Sequence, residues 1–450
     1  AGYSSRRSRK GMWGVQLNHR STQLGLGVPD SVETRFASSG LDAWGRAFRG
    51  KHIFDVGGTV GRDAVAYYGI AAVREGGNAP AAAASDRTTY LRMGSSAAWR
   101  MESKDSSAVR PQALLSYQHL AASDTVREHT WHGTLGAATR LNGHDASVAA
   151  EVWIDRRNLG ETRLEQAVMA LRPELSRTTR AWQARAGLGI YIDARGDQVF
   201  HVYPDLEAQF PLFRGKLTPY AAWGGEVEMN RLEDLLREVP FLDPGLDLRS
   251  TYRQVDTRGG IKGVVAGQIN YRAEASWIRE TNHLYLLNDS TSGSGERLGA
   301  FYDTLSIRSI GGELSWNAQF PLELRAGATL YRYGTSDQLH AWNLPDLAIT
   351  ASAQYLWRDL LKATVRSRIE TGRTGLSQVA LADSPFDGQA GGYVVDLGTL
   401  ADLDLLVDYT VTGRLSAWLE FRNLLASRYA TYGGYRVQGF QSFLGATYTF

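Results

Sequence analysis

Apolar and polar residues alternate with period two along most of this chain. In the segment 400–422, Leu403, Leu405, Val407, Tyr409 and Val411 alternate with Asp402, Asp404, Asp408 and Thr410. After Thr412-Gly413 the pattern resumes: Leu415, Ala417, Leu419 and Phe421 take one side, Arg414, Ser416, Trp418, Glu420 and Arg422 the other. Side chains of a strand point alternately to its two faces, so this is a hairpin with one apolar and one charged face. The same pattern recurs in segments beginning at Ala146, Leu217, Leu322 and Leu347, where Leu217, Pro219, Ala221, Trp223, Val227 and Met229 read as one face. Each carries about ten residues of dyad repeat, the span of a tilted membrane strand.

Strands are predicted to start near 11, 42, 52, 88, 109, 125, 144, 163, 179, 198, 216, 251, 268, 302, 322, 345, 360, 398, 413 and 436. "AGYSS" before the basic turn "RRSRK" reads as the end of one more. Closed barrels of this kind have even strand numbers, so about 22 are expected, one of them preceding Ala1. Short turns fall at 49–52, 141–144, 213–216, 266–268, 319–321, 358–360 and 412–413. Longer Gly-rich stretches fall near 22–41, 69–87, 231–250, 282–300, 374–397 and 426–436, and "LEDLLREV" (232–239) is the only helix expected. From Gly215 onward, short and long connections alternate, as periplasmic turns and external loops do. That many strands exceed one open sheet or sandwich. The expectation is an all-β fold: a single transmembrane antiparallel β-barrel over residues 1–450, with apolar faces on lipid and polar faces on the lumen.

Composition fits this reading. Mean hydropathy is -0.29, so the chain lacks the long apolar runs of membrane helices. Tyr (21), Trp (12) and Phe (14) are plentiful, as interfacial girdles require. The net charge of +2 points to no nucleic-acid partner. With no cysteine, disulfides and thiolate metal sites are excluded.

Candidate chemistry is sparse. "EHTWH" (128–132) is the only local histidine cluster, but on a strand His129 and His132 fall on opposite faces. "GGTVGR" (57–62) lacks the Lys-Ser/Thr end of a phosphate loop. No nucleophile–base set is legible, and no catalytic residue, metal or cofactor is expected. The charged residues Asp402, Asp404, Asp408, Arg414, Glu420 and Arg422 are the lumen-facing candidates: a carboxylate or cation-selective wall, or acids on one strand compensated by arginines on the next.

The segment "FRNLLASRYATYGGYRVQGFQSFLGATYTF" (421–450) resembles the end of TonB-dependent receptor barrels, with its Asn423-Leu424 pair and a Gly-Phe-rich closing strand. "AWGRAFRGKHIFDVGGTVGRDAVAYYG" (43–69) and "AWNLPDLAITASAQYLWRDLLKATVRSRI" (341–369) resemble plug-less barrels of Bacteroidota-type bacteria. Phe440, Leu444, Ala446, Tyr448 and Phe450 share one face, and the terminal Phe450 resembles an outer-membrane assembly signal. The resemblance implies a Gram-negative outer-membrane location and contact with its lipid. It implies a transport conduit for solutes, without a plug of its own; residues 1–10 read as strand end and turn, with no TonB box. The alternatives are a scaffold subunit, its lumen filled by an outer-membrane or periplasmic protein partner or by loops, and a barrel enzyme.

Overall fold

The computed structural model describes residues 2–4, 10–23, 35–66, 87–122, 126–195, 199–288, 297–317, 321–377, 386–387 and 392–448. Phe450 lies outside them. The first strands are β1 (Gly2–Ser4), β2 (Gly11–Gln23), β3 (Arg35–Arg49), β4 (His52–Ala66), β5 (Arg87–Met101), β6 (Arg110–Ala122) and β7 (Val126–Leu141). They continue through β8 (His144–Leu159), β9 (Thr162–Thr178), β10 (Gln183–Asp193), β11 (Phe200–Gln209), β12 (Thr218–Glu228), β13 (Thr251–Val265) and β14 (Ile269–Asn288). Next come β15 (Leu298–Asn317), β16 (Leu322–Thr335), β17 (Leu347–Trp357) and β18 (Leu361–Thr371). Short strands β19 (Thr374–Ser377), β20 (Phe386–Asp387) and β21 (Gly392–Asp396) form a separate small sheet. Then follow β22 (Leu400–Thr410), β23 (Leu415–Arg422), the hairpin β24 (Ala430–Tyr432) and β25 (Tyr435–Arg436), and β26 (Gln441–Tyr448). Among the described residues an α-helix, α1 (Leu232–Glu238), interrupts a long loop.

Twenty-one strands form one sheet in which each pairs antiparallel with its neighbours in sequence, from β1 to β18 and on through β22, β23 and β26. The ends of this sheet come together: the Arg20 guanidinium of β2 lies 5.4 Å over the Phe443 ring of β26. A sheet so long curls because strands twist, and closing it removes its exposed edges. No helix among the described residues is long and apolar enough to cross a membrane.

The dyad pattern sorts the wall into two surfaces. On the outward face stand large exposed apolar residues: Val56, Leu115, Leu135, Ile310, Leu314 and Leu444, the last 79% exposed. An apolar hollow of about 810 Å³ on this face is lined by Phe54, Val56, Leu115, Leu135 and Met169. In a water-soluble protein such a belt would cost stability and solubility; in a bilayer it is the contact surface. Trp99 and Trp357 lie near strand ends on this outward face.

The two rims differ as the sequence suggests. One carries short connections, such as 50–51, 142–143, 266–268 and 358–360. In the two-residue turn 142–143 Asn142 and Gly143 both have positive φ (51° and 80°), the conformation a type I′ hairpin needs. The other rim carries 229–250, 336–346, 372–399 and 423–440. One expectation is corrected here. The irregular pairing between Gly224 and Glu226 breaks the period of β12. Val227 therefore does not share Trp223's exposed face but packs with Tyr191, Tyr203 and Tyr252 in a buried cluster, against which Met229 also lies.

Candidate functional site: a charged lumen beneath interlocked loops

The inward face is a lattice of ion pairs. A cavity of about 910 Å³ is lined by Arg272, Glu313, Arg325, Arg366, Arg368, Asp402 and Asp404, among others. A second, of about 610 Å³, adds Arg172, Glu174, Arg185, Asp205 and Arg253, and shares Arg258, Arg272 and Glu274 with the first. The charges are paired locally. Arg185 reaches Asp205 at 3.1 Å and Glu207 at 3.3 Å. Arg258 grips Asp256 through two bonds of 2.7 and 2.6 Å. Arg253 bridges Glu280 at 2.8 Å and Glu226. The Tyr220 hydroxyl donates to Glu274 at 2.7 Å. Arginine spaced two residues from a carboxylate on the same strand, as in Arg325–Glu323 and Arg368–Glu370, places both on one face.

The candidate residues at the end of the chain divide. In the β18–β22 register, Arg366 stands opposite Asp404, Arg368 opposite Asp402 and Lys362 opposite Asp408. In this register the cations directly opposite Asp402, Asp404 and Asp408 come from the preceding strand. Arg414 lies in the exposed turn 411–414 at the rim and not in the wall with Glu420. Arg422 donates to Glu420 at 2.7 Å and stacks 5.2 Å over Phe443. Two of the three aspartates hold a loop: the Tyr429 hydroxyl donates to Asp402 at 2.6 Å, and the Asn423 backbone N–H donates to Asp404 at 3.0 Å. Burial and the bond to Asp402 raise the Tyr429 phenol above its ordinary value. Asn423 also donates to the carbonyls of Ser427 and Gln438, which closes the loop on itself.

The functional element that the dyad pattern does not disclose is the closure of the long-loop rim. Loop 229–250 reaches from β12 across to β7. The Glu128 side chain, 1% exposed, accepts the backbone N–H groups of Leu232 and Glu233 at 2.9 Å each, one on each oxygen. A carboxylate at the first turn of α1 satisfies donors that have no intrahelical partner. Arg231 adds a bond of 2.9 Å to Gln118 of β6 and lies 4.3 Å over the Trp153 ring of β8. Leu232, Leu236, Val239, Leu242, Leu246 and Leu248 bury into one cluster with Val65, Tyr90, Leu120, Val126 and Leu298 from the strand ends. Loop 423–440 joins it: Tyr435 is 1% exposed and stacks on Phe241 at 4.1 Å. Burial pushes the nearby Tyr432 phenol up to about 12, so it stays neutral. A Cβ on Gly433 would collide with the Leu376 carbonyl oxygen, so loops 423–440 and 372–399 interlock through a backbone approach only glycine permits. Trp342 of loop 336–346 packs with Tyr285, Leu287 and Leu376.

His129 and His132 lie on opposite faces as expected. His129 stacks with Tyr117 and Trp131, whereas His132 bonds Glu151 at 2.8 Å and stacks on Trp153. Among the described residues no group of three or more His, Asp or Glu is placed to hold a metal.

No protein-family model and no curated protein sequence matches this chain. Solved structures do. The ferric-catecholate import receptor Fiu from E. coli K12, in its closed form, superimposes with a TM-score of 0.69 at 11% identity, covering 100% of this chain and 79% of that one. The FrpB iron transporter from Neisseria meningitidis gives 0.71 at 12% identity, covering 99% and 80%. The ferric enterobactin receptor PfeA of Pseudomonas aeruginosa, a mutant in complex with enterobactin, gives 0.68 at 12% identity, covering 100% and 78%. With matched topology, an apolar outer belt and a charged interior, the chain has the barrel fold of these bacterial import receptors and transporters.

Proposed function

We propose that this chain is the wall and outer gate of a Gram-negative outer-membrane barrel that imports a polar solute. The observation that carries this reading is loop 229–250, which spans the long-loop mouth and is fastened to β7 by Glu128. A barrel this wide needs filling to be tight, and here its own loops cover the mouth. The paired inner wall presents both signs of charge, which suits hydrated polar solutes and gives little selectivity between cations and anions. Asp402 and Asp404, being tied to loop 423–440, link the wall to the cap and are poorly placed to act as a cation filter.

The test is conductance. The folded chain in planar bilayers should show little steady current. Replacing 231–248 by a short Gly-Ser link should give large, weakly selective steps. Wide conductance by the intact chain would refute gating by these loops. Silence of the loop-deleted barrel, with folding verified by heat-modifiable gel mobility, would favour the scaffold reading.

A further inference from the structure

The outward wall carries a cluster of arginines that the protein itself leaves uncompensated. On β14, β15 and β16 the outward rows are apolar for most of their length: Ile269, Tyr271 and Trp277; Trp316, Leu314 and Ile310; Leu322, Leu324 and Leu330. All three then change character near the same height. Trp277 stands opposite Arg308, and Arg308 stands opposite Arg332. Arg279, one dyad further toward the long-loop rim, stands opposite Ser306. All three arginines are exposed. Arg332 bonds only the backbone carbonyl of Tyr331, at 3.4 Å, and no carboxylate among the described residues pairs with any of the three.

Like charges directly opposite on neighbouring strands repel. Elsewhere on the same outward face the protein compensates: Arg156 of β8 lies 3.2 Å from Glu165 of β9, which Arg163 also contacts. At Arg308–Arg332 it does not. The position matters as much as the charge. These guanidinium groups lie at the edge of the apolar belt, beside Trp277, whose indole N–H donates to Ser306 at 3.1 Å. An interfacial tryptophan marks headgroup level, and guanidinium forks match phosphate oxygens two at a time.

We infer that Arg279, Arg308 and Arg332 form an outward-facing site for the phosphorylated headgroup of a lipid in the outer leaflet of the membrane. The site rests on the proposed orientation, with the long loops outside. The phosphate supplies the negative charge missing from the wall, and the acyl chains lie along Ile310, Leu314 and Leu330. Clustered basic residues at headgroup level hold anionic lipids additively.

The purified chain in detergent is titrated with diphosphoryl lipid A, with dephosphorylated lipid A and with inorganic phosphate, and bound lipid is counted by native mass spectrometry. The chain should prefer the diphosphoryl form by about tenfold or more. The triple variant Arg279→Gln, Arg308→Gln, Arg332→Gln should lose that preference, and Arg308→Gln alone should reduce it should the triple variant not fold. Inorganic phosphate should not compete at equal concentration. Equal binding of both lipids, retention of the preference by the variants, or competition by free phosphate would each overturn the site. The orientation is checked separately, by protease access to loop 336–346 on intact cells. An inaccessible loop would place the arginines on the inner leaflet even where lipid binding is seen.

Discussion

Replacing Glu128 with glutamine should loosen the cap without harming the barrel. Both carboxylate oxygens are used, one by the Leu232 N–H and one by the Glu233 N–H. Glutamine keeps one acceptor and turns a donor toward the other N–H. One charge-assisted bond at about 1.5–3 kcal/mol is lost. Burial raises the Glu128 carboxyl to about 8, so the charge-dependent part of this, including about 0.3–1 kcal/mol of helix-dipole stabilisation, is fully present only above that pH. Part of this is regained, because a buried carboxylate is itself costly. A net weakening of about 1–3 kcal/mol shifts the open fraction of the cap by about fivefold to 150-fold. The apolar cluster of Leu232, Leu236 and Tyr435 remains, so the loop detaches transiently rather than unfolding for good. Two measurements follow. Amide exchange in 232–239 should accelerate by that factor, while exchange in β7 stays slow. Brief conducting events should appear in bilayers that are silent with the parent chain. Unchanged exchange in α1 would show that the leucine cluster alone holds the loop, and the latch argument would fail.

Other changes probe the remaining parts. Leu405→Arg, placed on the outward face of β22, should destabilise by about 2–4 kcal/mol if near the midplane, read from refolding into liposomes; a neutral result would invert the register. Asp408→Asn, opposite Lys362 and holding no loop, should change stability by less than about 1 kcal/mol, whereas Asp404→Asn should raise protease sensitivity of 423–440 by weakening the bond to Asn423. Trp342→Ala, which empties a site 1% exposed, should cost about 3–5 kcal/mol locally and expose loop 336–346 to proteinase K; a resistant loop would contradict the packing seen with Tyr285 and Leu376. Gly433→Val should separate loops 423–440 and 372–399, detectable as faster exchange at Leu376.

The strands were legible because their signal is local. A period of two over ten or more residues depends only on which residues adjoin, and it located the twenty long wall strands, most within two residues of their observed starts. The early start of β3 at Arg35 and the late start of β26 at Gln441 escaped, since both lie beside Gly-rich stretches where alternation fades. The helix at 232–238 was also visible, as a leucine-rich run inside a polar loop. What the sequence could not disclose is where that loop goes. Glu128 and Leu232 are 104 residues apart, and no local period links a carboxyl on one strand to backbone N–H groups across a barrel. The same holds for Asp402 and Asp404. Their spacing shows a shared face, but only the folded chain sets Tyr429 and Asn423 against them. Arg308 and Arg332 look unremarkable on separate strands; the register makes them neighbours. Alternation decides which side of the wall a residue takes, whereas pairing register and loop packing decide what it meets there.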